Sequence, residues 1–173
     1  MGEGDPRALL VTGTFGTGKT TLIEELAEML EGLDLPYGAI DLDWLAWTNV
    51  HEQGLEHGID DLEASNLEAV VANYLKAGAR YFLLARAVKD REGLKRLRAA
   101  LDMPLTVVRL ALGIDEIKLR LSGSVTSGRK EDLRMAADWL VDEEAADIAD
   151  ATFVSDRPIQ DLATEVLALL GWR

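Results

Sequence analysis

Residues 13–21 read GTFGTGKTT, and no other stretch of the chain narrows its fold as far. Gly13, Gly18, Lys19 and Thr20 fill every fixed position of the pattern G-x-x-x-x-G-K-[ST]. Glycines let the backbone curl until successive N–H groups point inward at phosphate oxygens. A helix beginning near Gly18 aims the positive end of its dipole at the same point. Lys19 supplies a charge to the outer phosphates, and the Thr20 hydroxyl serves a magnesium ion. The flanks agree. An apolar run, ALLVT at 8–12, precedes the glycines, and Leu22, Ile23, Leu26, Met29 and Leu30 follow on one helical face. The expectation is a nucleoside-triphosphate cradle made of Gly13, Thr14, Phe15, Gly16, Thr17, Gly18, Lys19, Thr20 and Thr21. By itself it leaves switch, motor and kinase open.

The rest of the chain keeps the same strand-then-helix order. Further strands are expected at 37–42, 81–85, 105–112 and 151–154. Helices are expected at 19–31, through Leu67, Val70, Val71, Tyr74 and Leu75 up to Gly78, and through Leu94, Leu97 and Leu101 up to Pro104. Others follow at 114–121, along Leu133, Ala136, Ala137, Leu140, Val141 and Ile148, and at 159–170. Asn66 is expected to open the helix before the third strand as its cap. Strands alternating with helices predict an α/β fold, an open parallel sheet of five strands with helices on both faces. Ligands of such sheets lie at the carboxyl ends of the strands.

At 173 residues the chain suits a single domain, 1–173, with a short Ser/Thr/Gly-rich lid at about 122–130. It has no cysteine, which excludes disulfides, thiolate metal sites and cysteine nucleophiles. A net charge of −13 argues against nucleic acid and anionic membrane as partners, while leaving a local phosphate site intact. Neither a signal peptide nor a membrane-spanning run is expected, so the protein is expected to be soluble and cytoplasmic. A homodimer is an allowed assembly.

Two absences bear on the chemistry. No N-K-x-D string, the usual guanine reader, occurs, and the third strand meets Arg86 where motor ATPases end in an acid. A carboxylate for magnesium must come from elsewhere, and AIDLDWLAW offers Asp41 and Asp43. In extended chain, residues two apart point to one side, so the pair is expected to face one space. One would steer magnesium and the other would accept a proton or hydrogen bond from a substrate hydroxyl. Trp44 and Trp47 either stack on a ligand or pack in the core. Arg86 either holds an anionic acceptor, or the phosphate in transit, or forms a structural ion pair. Lys89, Arg91, Lys95, Arg96 and Arg98 suit a solvated helix face.

With GTFGTGKTT, the DLD after the second strand and the tail DATFVSDRPIQDLATEVLALLGW, the chain resembles the small-molecule and nucleotide kinase branch of P-loop proteins. That branch includes shikimate, gluconate and adenylylsulfate kinases and chloramphenicol phosphotransferase. The resemblance implies a P-loop NTPase three-layer sandwich using ATP and Mg2+, with magnesium held by Thr20 and Asp41. It implies that Asp43 serves the substrate, that Ser155, Asp156, Arg157 and Pro158 border the adenine, and that Arg120 and the lid cation Arg129 act on the moving phosphoryl group. The departures are specific. Ala85, Arg86 and Ala87 replace the glycine triplet of shikimate kinases, and Ala46 stands at the histidine position of gluconate kinases. Where adenylylsulfate kinases have an arginine, this chain has Trp44, Leu45 and Ala46. The expected activity is a kinase acting on a small-molecule hydroxyl acceptor, bound near Asp43, Trp44, Trp47 and Arg86. The rival is a regulatory nucleotide-binding protein with slow ATP hydrolysis and a protein partner.

Overall fold

Along β1 (Arg7–Thr12), Ala8 and Leu10 join one apolar cluster while Leu9 and Val11 join another. Side chains alternate across a strand, so a run apolar on both faces must be covered on both. In this computed structural model, which describes residues 4–49, 58–122 and 148–172, β1 is the middle strand of five. The others are β2 (Tyr37–Asp41), β3 (Tyr81–Ala85), β4 (Leu105–Ala111) and β5 (Ala151–Val154), in the order β2-β3-β1-β4-β5, with every neighbouring pair parallel. β3 is buried at every residue, whereas the edge strands are partly open: β2 exposes Ala39, and β5 alternates half-buried with exposed positions.

Helices cover both faces. α1 (Lys19–Gly32) lays Leu22, Leu26 and Leu30 against one face, beside Leu162 and Val166 of α5 (Ile159–Leu170). α2 (Ile59–Ala77) and α3 (Arg91–Leu101) cover the other with Leu67, Val71, Leu94, Leu97 and Leu101. Each fully buried leucine contributes about 1.5–3 kcal/mol, so three on α1 suffice to fix the helix that follows the glycine loop. α4 (Ile114–Ser122) precedes the stretch outside the described residues. The result is a three-layer α/β sandwich, as the alternation predicts. Among the described residues no helix is long and apolar enough to cross a membrane.

The strand register sets the site. Val11 lies opposite Ala85, and Ala85 opposite Asp41, so β1, β3 and β2 deliver Gly13, Arg86 and Asp41 to one carboxyl edge. Two bonds hold the connection after β3 on β1: Arg86 N–H donates to Val11 O (3.1 Å), and Val88 N–H to Thr12 Oγ1 (3.0 Å).

Two expectations are corrected here. Strand β2 ends at Asp41, and Leu42 opens a 3₁₀ turn (Leu42–Trp44). α2 begins at Ile59, with Asp60 and Asp61 in its first turn where acids suit the positive helix end. Asn66 therefore lies two turns inside the helix and caps nothing. Its Nδ2 donates to Leu45 O at 2.6 Å and anchors the loop after β2. Of the lid expected at about 122–130, all but Ser122 lies outside the described residues, as does the helical face from Leu133 to Val141, while Ile148 is buried in a turn.

Candidate active site

The glycine loop curls as its composition demands. Gly13, Gly16 and Gly18 have φ of 137°, 80° and 94°, in the region that favours glycine. At Gly13 a Cβ would also strike the Leu110 carbonyl oxygen, so the loop lies directly on β4. Thr17 Oγ1 donates to Thr14 O (2.8 Å), closing the curl. Lys19 is buried, and its Nζ donates to Thr14 O at 3.2 Å and lies 5.4 Å from the centre of the Phe15 ring. α1 starts at Lys19 with no side-chain cap and no acid in its first turn. Its leading N–H groups and dipole are therefore left for an anion. Thr14 Oγ1 is buried in the loop and has no hydrogen-bond partner among the described residues. An orphaned hydroxyl, an uncapped helix and a glycine-built curl fit a polyphosphate.

Beside the loop, Thr20 Oγ1 donates to Asp41 Oδ2 at 2.8 Å. The carboxylate's other oxygen, Oδ1, accepts from Asp43 N–H (3.1 Å). This corrects the expectation that Asp41 and Asp43 point the same way by strand alternation. Asp43 belongs to the 3₁₀ turn, where that rule lapses, and its carboxylate turns to Arg86 instead. Arg86 Nη1 reaches Asp43 Oδ1 at 2.6 Å, and Nη2 lies 2.7 Å from Glu63 Oε2. The second contact is an ion pair whose angle falls outside hydrogen-bond geometry, since Oε2 accepts no aligned bond. Arg86 is thus an ion-pair residue that still lies at the ligand edge of the sheet. Burial pushes the Glu63 carboxyl up to about 7; Arg86 opposes the rise, while Asp43 and Asp60 add to it.

Trp44 and Trp47 are not core residues. They are 67% and 73% exposed and stack on one another with ring centres 4.6 Å apart, in the turn beside Asp43.

On the far side of the loop, Ser155 is buried after β5, and its Oγ donates to Thr17 O (2.8 Å). Arg120 reaches from α4 to the same serine, with Nη2 2.6 Å from Ser155 O and Nη1 3.4 Å from its Oγ. The structure thus brings Arg120 to the loop, near Gly18. Asp156, Arg157 and Pro158 are exposed beyond Ser155, with Arg157 paired to Glu165 at 2.6 Å. Thr21 is exposed on α1, and Arg129 lies outside the described residues.

Glu63 is the residue that the sequence expectations pass over. A signal existed. It stands four residues before Leu67 and eight before Val71, on the stripe that α2 buries, where a carboxylate is out of place.

No family model matches the chain, and no curated protein matches its sequence. Solved structures match its shape. An unliganded sugar kinase from Janibacter sp. HTCC2649 superposes with a TM-score of 0.67 at 19% identity, covering 96% of this chain and 95% of its own. The adenylylsulfate (APS) kinase of Mycobacterium tuberculosis, in complex with AMPPNP and APS, gives 0.65 at 18% identity, covering 98% and 99%. A shikimate kinase from Bacteroides thetaiotaomicron gives 0.63 at 21% identity, covering 95% and 98%. Likeness at these identities is likeness of fold. The chain has the three-layer P-loop fold that these small-molecule kinases adopt, with a five-stranded parallel sheet and the glycine loop at its carboxyl edge.

Proposed function

We propose that the protein is an ATP- and Mg2+-dependent phosphotransferase acting on a hydroxyl of a small molecule. The observation that carries this reading is the Thr20–Asp41 contact at the head of an uncapped helix. It puts a hydroxyl and a carboxylate, the donor set of a magnesium site, beside a loop built for phosphate. The sugar, APS and shikimate kinase neighbours support it through their shared fold.

Bound ATP with Mg2+ supplies the transferable phosphoryl group and neutralises part of its charge. Loop amides from Gly13 to Thr21 would hold the phosphates, with Thr20 and Asp41 on the metal side. Lys19 contributes a fixed cation, held in place by Thr14 O. Asp43 orients the acceptor hydroxyl and takes its proton; only Oδ1 is engaged by Arg86, which leaves Oδ2 for that bond. Arg120, anchored on Ser155, stiffens the loop and adds positive charge behind it. Asp156, Arg157 and Pro158 would border the base, and Arg129 would close over the reaction from the lid.

ATP consumption measured with Mg2+, with and without a metabolite mixture, tests the proposal. Turnover should stay slow until an acceptor arrives. Turnover indifferent to metabolites but raised by a partner protein would favour the regulatory alternative.

A further inference from the structure

Where β3 ends, a cavity of about 210 Å³ opens between α2 and α3. Its charged lining is Asp60 and Glu63 of α2, Arg86, Lys89 and Asp90 of the connection after β3, and Arg96 of α3. Several of these charges already have partners. Arg96 pairs with Asp60 at 2.7 Å, and Asp90 caps α3 by accepting from Gly93 N–H (2.8 Å). Lys89 is exposed at the rim. The guanidinium of Arg86 is shared by two carboxylates, Glu63 in the lining and Asp43 beside it. With both ionised, that trio carries one negative charge in excess. Glu63 is 6% exposed, and among the described residues its Oε2 accepts no aligned hydrogen bond. A buried carboxylate is costly unless it is fully paired and hydrogen-bonded, and this one shares its guanidinium with Asp43.

We infer that this cavity receives the ammonium end of a hydroxyl-bearing organic molecule, with Glu63 as its counter-ion. Resting on the phosphotransferase reading, that molecule is the acceptor, and its hydroxyl faces Asp43. An ammonium brings three donors and the one positive charge that the trio lacks. A carboxylate or phosphate would instead add a second excess negative charge beside Asp43 and Glu63, where Arg86 is already shared. Glu63 titrates at about 7, raised by burial and by Asp43 and Asp60 against the pull of Arg86. In the free protein a proton therefore supplies the missing charge part of the time, and ammonium and proton compete for one place.

Three ligands with one carbon skeleton test this: glucamine, sorbitol and gluconate, which end in an ammonium, a hydroxyl and a carboxylate. Binding is measured by calorimetry at pH 6 and pH 8, and the Glu63 side-chain carboxyl is followed by 13C NMR. Glucamine should bind best, about tenfold more tightly at pH 8 than at pH 6, the ratio for a carboxyl titrating near 7. Saturation with glucamine should lower the Glu63 midpoint, and Glu63→Gln should abolish the pH dependence. Absence of glucamine binding, tighter binding of gluconate, or an unmoved Glu63 midpoint in the wild-type protein would overturn the inference. The NMR measurement holds even where Glu63→Gln fails to fold. ATP–Mg2+ binding by the wild-type protein is measured alongside. If it persists while glucamine fails, only the ammonium inference falls; if it is absent, the phosphotransferase reading falls.

Discussion

Thr20 Oγ1 donates to Asp41 Oδ2 at 2.8 Å, tying the first turn of α1 to the carboxyl end of β2. The two residues are 21 apart in sequence, and neither strand nor helix geometry alone would join them. A hydroxyl oxygen and a carboxylate oxygen at that spacing can serve one cation from the same side.

Asp41→Asn separates charge from geometry. The amide oxygen can still accept from Asp43 N–H, and the amide N–H can donate to Thr20 Oγ1 in place of the bond that Asp41 accepts there, so the fold should hold. The Mg2+ concentration for half-maximal ATP turnover should rise about 10–100-fold, as when a metal site loses a supporting carboxylate. An unchanged Mg2+ requirement would remove Asp41 from the metal side.

Gly13→Ala attacks the loop at its tightest point. The new Cβ would meet the Leu110 carbonyl oxygen, and φ is 137°. Strain of this kind costs on the order of 1–3 kcal/mol. Chemical denaturation should show that loss together with weakened nucleotide binding. Wild-type stability in the variant would mean that the loop does not rest on β4.

Ser155→Ala removes the hydroxyl that meets Thr17 O and leaves that carbonyl without its donor. An unmet buried partner costs about 1–3 kcal/mol. Arg120 loses only its 3.4 Å contact to the hydroxyl and keeps its bond to the Ser155 carbonyl, but Thr17 belongs to the phosphate loop, so the loss should lower ATP affinity as well as stability. Lowered stability with unchanged ATP affinity would confine Ser155 to a packing role.

Glu63 makes the fold sensitive to pH in a stated direction. Its carboxyl titrates at about 7 in the folded chain against an ordinary value of 4.5. Between those values the folded state keeps a proton that the unfolded state has lost, so stability falls as pH rises from about 4.5 to 7 and then levels. Glu63→Gln removes that decline. Relative to wild type, the variant should gain roughly 2 kcal/mol of stability on going from pH 5 to pH 8. A difference independent of pH, measured by urea denaturation, would contradict the buried titrating carboxyl.

Much of the fold was legible because its signals are local. Tyr81–Ala85 and Ala151–Val154 are expected from apolar runs and occur with those bounds, and Ile159–Leu170 follows from helical spacing. The glycine loop was legible because its backbone chemistry admits few alternatives. What escaped depends on contacts remote in sequence. Asp43 parts from Asp41 because the chain turns at Leu42, and alternation holds only within a strand. Asn66 was misplaced because the apolar repeat starting at Leu67 hides two earlier helical turns. Arg86 could be seen at a strand end, but its two carboxylates come from 43 and 23 residues upstream, and only the folded chain selects them from the many acids present.

The central claim, that amides of the glycine loop and the Lys19 ammonium hold a triphosphate, is tested most directly by calorimetric titration of ATP with Mg2+ into wild type and Lys19→Met. Methionine keeps the buried stem of Lys19 packed and removes only the charge. The structure predicts one saturable site in the wild type, weakened about 10–100-fold in the variant, the equivalent of one charged hydrogen bond. No binding to the wild type, or equal binding to both proteins, would contradict it.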